Sequence, residues 1–470
     1  MLPSGLPNPP PGEREPSVKP ISVHLVSLGC PKNLVDSEVI LGRVGAEGFI
    51  VSPDPETADV LMVNTCGFIE AAKQESIDHI LELVSFKEGD PAKRVVVAGC
   101  LGQRYPEELK GEIPEIDAIV GLSEYSRMPE ILTELVTEAR LEHPLQVKEP
   151  NHPAYSEGSR LRLTPVHSAY LRISEGCDNP CTFCSIPSFR GKFRSKPVET
   201  VLDEARELIA SGATELNLIS QDLTSYGYDL DSDYHLPRLL EELDGVAGLK
   251  WVRLLYTYPY KFSEAMIDAV ANLDRVIPYI DMPIQHIDDL VLKRMGRRMG
   301  EKGTVDLFRR MRDKIDDLVL RTTFIVGFPG ETEAQFQKLI DFVEEIEIER
   351  VGVFAYSDED GTPAVKLPEK IAPEVAAERV ERLMLAQQKI AFAWNERRLG
   401  TETEVLIDGW YETDTGARLT GRSYAEAPEI DTRIFLPDDA GTAGEYVRAK
   451  ITAVEGYDLA AEPVRHSSPR

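Results

Sequence analysis

Three of the six cysteines in this 470-residue chain fall within eight positions, in Gly176-Cys177-Asp178-Asn179-Pro180-Cys181-Thr182-Phe183-Cys184. Three thiolates at C-x3-C-x2-C spacing hold three corners of an iron–sulfur cube and leave the fourth iron open to a substrate or cofactor. Electron-transfer ferredoxin loops supply a fourth cysteine, and zinc sites use paired C-x2-C units with four ligands in total. A zinc knuckle completed by a remote histidine is the alternative reading of this spacing. The apolar stretch Ala169-Tyr170-Leu171-Arg172-Ile173 before the loop reads as a strand.

The other three cysteines each end an apolar run: Val23 to Cys30, Val60 to Cys66 and Val95 to Cys100. Helix-like stretches follow each run, at Leu34 to Ala46, Ala71 to Phe86 and Pro106 to Leu109 with its continuation. Continuous β-branched runs alternating with helices predict a parallel sheet covered on both faces. In such a sheet the C-terminal strand ends share one edge, where ligands bind. Cys30, Cys66 and Cys100 are therefore expected to converge. A lone buried cysteine is usually a small core hydrophobe, and three of them in a packed core is the competing explanation.

The elements that position these residues fall into three units, expected at 21–142, 165–399 and 400–464. The linker 143–164 is rich in Pro, His and Glu, and tails are expected at 1–20 and 465–470. The first twenty residues hold seven prolines and no apolar signal segment, so they read as a disordered tail. In the second unit six strand-like runs alternate with helices: 170–173, 215–219, 252–256, 279–282, 322–326 and 351–356. Six such units fit an open, partial (β/α) barrel whose chemistry lies at the C-terminal strand ends. A long helical stretch, Pro373 to Arg398, leads to short β-type runs at 404–407, 432–436 and 446–454, expected as a small β-barrel. The predicted fold class is α/β: an N-terminal parallel sheet, a partial (β/α)6 barrel and a small C-terminal β-barrel.

Composition narrows the function classes. The formal net charge is −28 and the pI about 4.8, which disfavours binding along a phosphate backbone and suits a basic protein partner. Simple solubility explains the charge equally well. No apolar run approaches the roughly 20 residues of a membrane span. Without an export signal the thiols are expected in a reducing cytoplasm, where clustered cysteines serve metal or redox chemistry.

Several polar groups are expected at the barrel mouth. Ile325-Val326-Gly327-Phe328-Pro329-Gly330-Glu331-Thr332 ends a strand and opens a helix, with Thr332 or Glu331 as its cap; an ordinary strand–helix turn reads the same way. Ser220-Gln221-Asp222 ends the second strand; acidic or amide side chains there suit an ammonium group, and an ordinary strand-end turn is the alternative. Met282-Pro283-Ile284-Gln285-His286 ends the fourth, with a satisfied core Gln and His as the alternative. Phe183 either shields a cluster or packs in the core. The basic run Arg190-Gly191-Lys192-Phe193-Arg194-Ser195-Lys196 reads as an exposed loop, or as a grip on an anionic substrate side chain or cofactor carboxylate.

Taken together, these motifs resemble the methylthiotransferase family of radical S-adenosylmethionine (SAM) enzymes, over roughly Ile21 to Val464, with a TRAM-like C-terminal barrel. Gly29-Cys30-Pro31-Lys32-Asn33-Leu34-Val35-Asp36-Ser37-Glu38, Thr65-Cys66-Gly67-Phe68-Ile69 and Ile186 to Ser195 resemble the branch that modifies an aspartate in the twelfth protein of the small ribosomal subunit. The branch acting on adenosine in transfer RNA is the rival. An iron–sulfur electron carrier and a zinc-stabilised ribosome-binding protein are the non-methylthiotransferase alternatives. The resemblance implies two [4Fe-4S] clusters, on Cys177, Cys181 and Cys184 and on Cys30, Cys66 and Cys100. It also implies SAM contacts at Phe183, Ser220, Gln221, Asp222, Gln285, Gly327 and Phe328. On that resemblance, one SAM would methylate sulfur at the N-terminal cluster, and a second, cleaved reductively, would activate the aspartate β-carbon. An electron donor is implied as a further partner, and neither a membrane nor a nucleic-acid substrate is expected. The unit 400–464 carries fourteen acidic and five basic side chains, a net of −9, which matches a lysine- and arginine-rich protein better than RNA.

Overall fold

The computed structural model describes residues 20–138, 141–150, 157–158, 160–231, 233–414 and 416–464. The tails expected at 1–20 and 465–470 lie outside the described residues, Pro20 excepted. The first sheet is built from β1 (Ser22–Ser27), β2 (Ile50–Val51), β3 (Val60–Thr65), β4 (Arg94–Ala98), β5 (Ala118–Val120) and β6 (Leu145–Gln146). Its order is β2-β1-β3-β4-β5-β6, with every pairing parallel. Alternate residues serve opposite faces, as strand geometry requires. Val60, Met62 and Val96 join one core with Ile40 and Leu132; Leu61, Val63, Val95 and Val97 join another with Ile80 and Leu83. That double coverage is why these strands read as unbroken apolar runs. The stretch expected as linker contributes β6, a two-residue strand too short to leave any periodicity in the sequence.

The second sheet opens with β7 (Ser168–Arg172). A short antiparallel pair, β8 (Ser174–Glu175) and β9 (Arg194–Ser195), brackets the Cys177–Cys184 loop. The sheet continues through β10 (Glu215–Ile219), β11 (Trp251–Leu254), β12 (Val276–Asp281), β13 (Val319–Val326) and β14 (Arg350–Ala355), all parallel and in sequence order. Sequential parallel strands with intervening helices give the expected partial barrel, left open between β7 and β14. The helix Pro373–Arg398 starts with proline at its first turn, where the missing N–H costs nothing. Gly327 shows how tightly it packs: a Cβ there would lie 2.6 Å from the Ala376 Cβ.

The last five strands are β15 (Glu402–Thr413), β16 (Gly416–Arg422), β17 (Ile434–Leu436), β18 (Tyr446–Glu455) and β19 (Asp458–Pro463), closed in the order β15-β16-β17-β19-β18. The α/β architecture with a small C-terminal β-barrel is thus as expected.

An open six-stranded barrel cannot fill its own interior as a closed one does. Here the segment 423–431, between β16 and β17, plugs it. Ala425 and Ala427 share one core with Tyr170, Trp251 and Tyr279 of the middle sheet and with Val35 and Val39 of the first helix. The polar lumen is paired across this joint. Glu215 accepts from both terminal nitrogens of Arg422 at 3.0 Å and from Arg253 at 3.2 Å. Arg253 also donates to the Tyr424 carbonyl at 2.7 Å, and the Tyr279 hydroxyl donates to Asp431 at 2.6 Å. Among the described residues no helix is long and apolar enough to cross a membrane.

Candidate active site at the facing strand ends

Adjacent strands β1, β3 and β4 deliver one cysteine each to the same sheet edge. Cys30 immediately precedes the helix Pro31–Ala46, Cys66 directly follows β3, and Cys100 lies in the first turn of the helix Gly99–Arg104. Gly29 and Gly99 make two of these turns possible, at φ +90° and +92°. A Cβ on Gly29 would meet the Cys66 Cβ at 2.8 Å, and one on Gly99 would meet the Thr65 carbonyl at 2.4 Å. Only glycine tolerates both the conformation and the contact. Across from this edge, the Cys177–Cys184 loop is pinned by Thr182, whose N–H donates to the Met295 carbonyl and whose hydroxyl donates to the Arg294 carbonyl.

All six cysteines open onto one cavity of about 300 Å³. Burial pushes the Cys100 thiol up to about 12 and the Cys177 thiol up to about 11, and raises Cys66 and Cys184 as well. Bare thiolates are costly there, so the set calls for a cationic group that offsets the burial. Among the described residues no three Cys, His, Asp or Glu side chains close on a single-ion site. Both trios line the open cavity, which leaves room for a polynuclear group. Donors are aimed at the sulfurs: Arg190 to Cys100 at 3.2 Å, Asn179 to Cys177 at 3.5 Å and Arg297 to Cys181 at 3.5 Å. Hydrogen bonds to ligand sulfur are one of the ways a protein sets a cluster's potential. The donor set fits an iron–sulfur group.

Of the remaining expected residues, Ser220, Asp222, Gly327 and Phe328 do not line this cavity. Phe183, Gln221 and Gln285 line it. Gln221 donates to Glu175 at 2.7 Å, and its carbonyl oxygen has no donor among the described residues. Asp222 is buried behind the wall and accepts from Asn179 at 2.8 Å. Ser220 is fully buried, its hydroxyl without a partner among the described residues. Gly327 packs against the helix Pro373–Arg398, and Phe328 sits in a core with Val291, Met295 and Ala364. Thr332 caps its helix in a capping box with Gln335, while Glu331 turns back to the Phe328 N–H and lies 3.7 Å from buried His286.

The basic run departs from the exposed-loop reading. Arg190 and Lys196 are only 4% and 2% exposed. Arg190 reaches Asp36 at 2.9 Å, and Lys196 pairs with Glu157 at 3.0 Å and Glu204 at 2.6 Å. Counter-charges from distant segments make burial affordable, and a run-based rule does not see them. Near these, Glu175 is held down at about 2: burial raises it, and Arg190 and Arg172 more than reverse that.

Sequence reasoning missed Arg297, Tyr256, Tyr258 and the roles of Lys32 and Asn33. Arg297 stacks 4.0 Å from the Tyr258 ring centroid and donates to the Pro283 carbonyl at 2.6 Å. Asn33 donates to the Leu28 and Thr65 carbonyls and accepts from Arg190 at 2.5 Å, bracing two of the cysteine turns. Tyr256 and Gln285 hold φ of 63° and 74° on the cavity wall, a strain typical of binding sites. The available signals were Lys32 and Asn33 inside the Cys30 motif and the turn Gly296-Arg297-Arg298.

Comparison with known proteins assigns families to all three units. Residues 22–121 match the family model described as uncharacterized protein family UPF0004, 171–343 the radical SAM superfamily and 399–464 the TRAM domain. The ribosomal protein uS12 methylthiotransferase RimO of Geobacter sulfurreducens is 46% identical over 94% of this chain and 98% of its own. The chain belongs to the RimO family of methylthiotransferases. The relative of the same name in Clostridioides difficile is 44% identical over 93% of this chain and 98% of its own. Among solved structures, the radical SAM methyltransferase TsrM of Kitasatospora setae has a TM-score of 0.55 at 16% identity, covering 73% of this chain and 77% of that one. At that identity the likeness concerns the fold. Like other members of the RimO family, the chain is a radical SAM methylthiotransferase, and membership implies an iron–sulfur cluster and SAM.

Proposed function

We propose that this enzyme adds a methylthio group to the β-carbon of an aspartate in ribosomal protein uS12, using two [4Fe-4S] clusters. The observation that carries the reading is the single cavity onto which cysteine trios from two different sheets open. On this reading the functional units run 21–142, 165–399 and 400–464, and the enzyme works in the cytoplasm with an external electron donor. Cys177, Cys181 and Cys184 hold the cluster that binds SAM; Cys30, Cys66 and Cys100 hold the second. Bound there, these groups supply the radical chemistry and the sulfur to be transferred. The chain's own residues orient and shield. Arg190, Asn179 and Arg297 donate to ligand sulfurs, the free Gln221 oxygen suits the ammonium of SAM, and Phe183, Phe189 and Tyr256 keep the cavity wall apolar. Mass spectrometry of uS12 from cells with and without the gene tests the whole reading. A uS12 that carries the methylthio group in both would overturn it.

Two further outcomes separate the roles within the reading. Cys66→Ala is expected to abolish methylthio transfer while reductive SAM cleavage continues at the barrel, measured as 5′-deoxyadenosine. Full product from that variant would remove the N-terminal trio from sulfur handling. The second outcome concerns docking by the C-terminal barrel. Part of its −9 is committed internally: Asp408, Glu426 and Asp431 face Arg422, Arg398 and Tyr279. Asp438, Asp439 and Glu445 lie on exposed turns. Changing these three to lysine is expected to slow association with uS12, and added salt to weaken the wild-type complex. Tighter salt-sensitive binding of transfer RNA, with none of uS12, would reverse the choice of substrate.

A further inference from the structure

Three cations line the six-cysteine cavity: Lys32, Arg190 and Arg297. Two are committed. Arg190 is held by Asp36, Glu175 and Asn33, and Arg297 by the Pro283 carbonyl and the Tyr258 ring. Lys32 is only 6% exposed and, among the described residues, makes no ion pair or hydrogen bond through its ammonium. Its one close partner is the Tyr256 ring, with the nitrogen 2.8 Å from the centroid. The nearby carboxylates are taken: Asp281 holds Arg321 at 2.7 Å and the Tyr256 N–H at 3.0 Å, and Glu175 holds Arg172 at 2.8 Å. An ammonium facing this cavity without a carboxylate partner is costly to bury, an aromatic face offsets only part of that cost, and the nearby Cys30 sulfur is assigned to the second cluster. Lys32 also stands in the first turn of a 16-residue helix, whose positive end adds to the attraction for an anion.

Resting on the proposed uS12 reading, we propose that Lys32 is a specificity-determining residue whose ammonium binds the side-chain carboxylate of the target aspartate. The carboxylate carbon is bonded to the β-carbon, so a grip on one fixes the reacting position of the other. Lys32 lies two residues after Cys30, on the sheet edge assigned to sulfur handling rather than on the barrel loop. That placement favours the substrate carboxylate over the carboxylate of SAM.

The test uses anaerobically reconstituted full-length enzyme with a uS12 peptide spanning the modified aspartate, and the same peptide with asparagine there. Dissociation constants are read by fluorescence anisotropy, and SAM affinity is read separately by equilibrium dialysis. Wild type is expected to prefer the aspartate peptide by at least about tenfold, the worth of one charge-assisted contact. Lys32→Met, of similar length and apolar, is expected to erase that preference with SAM affinity and iron content unchanged. Lys32→Arg keeps a preference, which excludes a folding defect. A preference that survives Lys32→Met would overturn the assignment. Loss of SAM affinity with the preference intact would give the anion to SAM instead. If wild type binds neither peptide, the uS12 reading fails, and this assignment with it.

Discussion

Replacing Cys177, Cys181 and Cys184 together by alanine is expected to reduce 5′-deoxyadenosine formation to background and to remove about half of the bound iron, as loss of one of two four-iron clusters requires. The effect should be complete. The loop is pinned by backbone contacts at Thr182, so removing the sulfurs leaves the wall in place while removing every ligand. The N-terminal trio hangs on a separate sheet, braced by Asn33 across the Leu28 and Thr65 carbonyls, and keeps its own iron. Iron analysis and chromatography of SAM products check both halves. Deoxyadenosine from the triple variant would mean that the roles of the two trios are misassigned.

Glu215→Gln is expected to be the most damaging single change at the joint between the middle sheet and the C-terminal barrel. Glu215 is fully buried and faces two buried guanidiniums, those of Arg422 and Arg253. Arg422 keeps Asp408 when Glu215 is neutralised, but Arg253 loses the carboxylate it faces, and a buried charge left uncompensated in this way costs on the order of 3–5 kcal/mol. Arg422→Met should cost less, since Glu215 retains Arg253. Arg418→Met, at an exposed pair with Glu455, should cost under about 1 kcal/mol. Urea unfolding of the three variants gives the order. Equal losses for Glu215→Gln and Arg418→Met would refute the account.

The same group predicts an acid response. Burial raises the Glu215 carboxyl, but Arg422 and Arg253 reverse this and hold it at about 2, below its ordinary 4.5. A depressed carboxylate adds stability that is fully present above the unfolded value and is lost as pH falls from about 4.5 toward 2. Glu215→Gln should therefore flatten the stability curve in that window. Glu426, also held at about 2, keeps its own share.

Much of the site was legible because its signals are local. Unbroken apolar runs ending in cysteine give parallel strands, and parallel strands share an edge, so Cys30, Cys66 and Cys100 were brought together by their position at strand ends. What stayed hidden depends on partners far along the chain. Lys196 reads as a loop cation until Glu157 and Glu204 are seen around it. β16 and β19 were missed because Gly-Ala-Arg-Leu-Thr-Gly-Arg and Asp-Leu-Ala-Ala-Glu-Pro lack strong β-branched alternation. The plug at 423–431 has no periodicity at all; its meaning comes from a lumen built by other strands.

That plug bears on the order in which the chain matures. Glu215 waits for Arg422, 207 residues later, and Arg253 waits for the Tyr424 carbonyl, 171 residues later. A chain emerging from the ribosome folds its early segments first, yet here the buried Glu215–Arg253 pair lacks its second guanidinium and its carbonyl acceptor until the last stretch has been synthesised. Contacts of such sequence separation form slowly. The catalytic barrel is thus finished from its own far end, so a prematurely terminated chain cannot complete it.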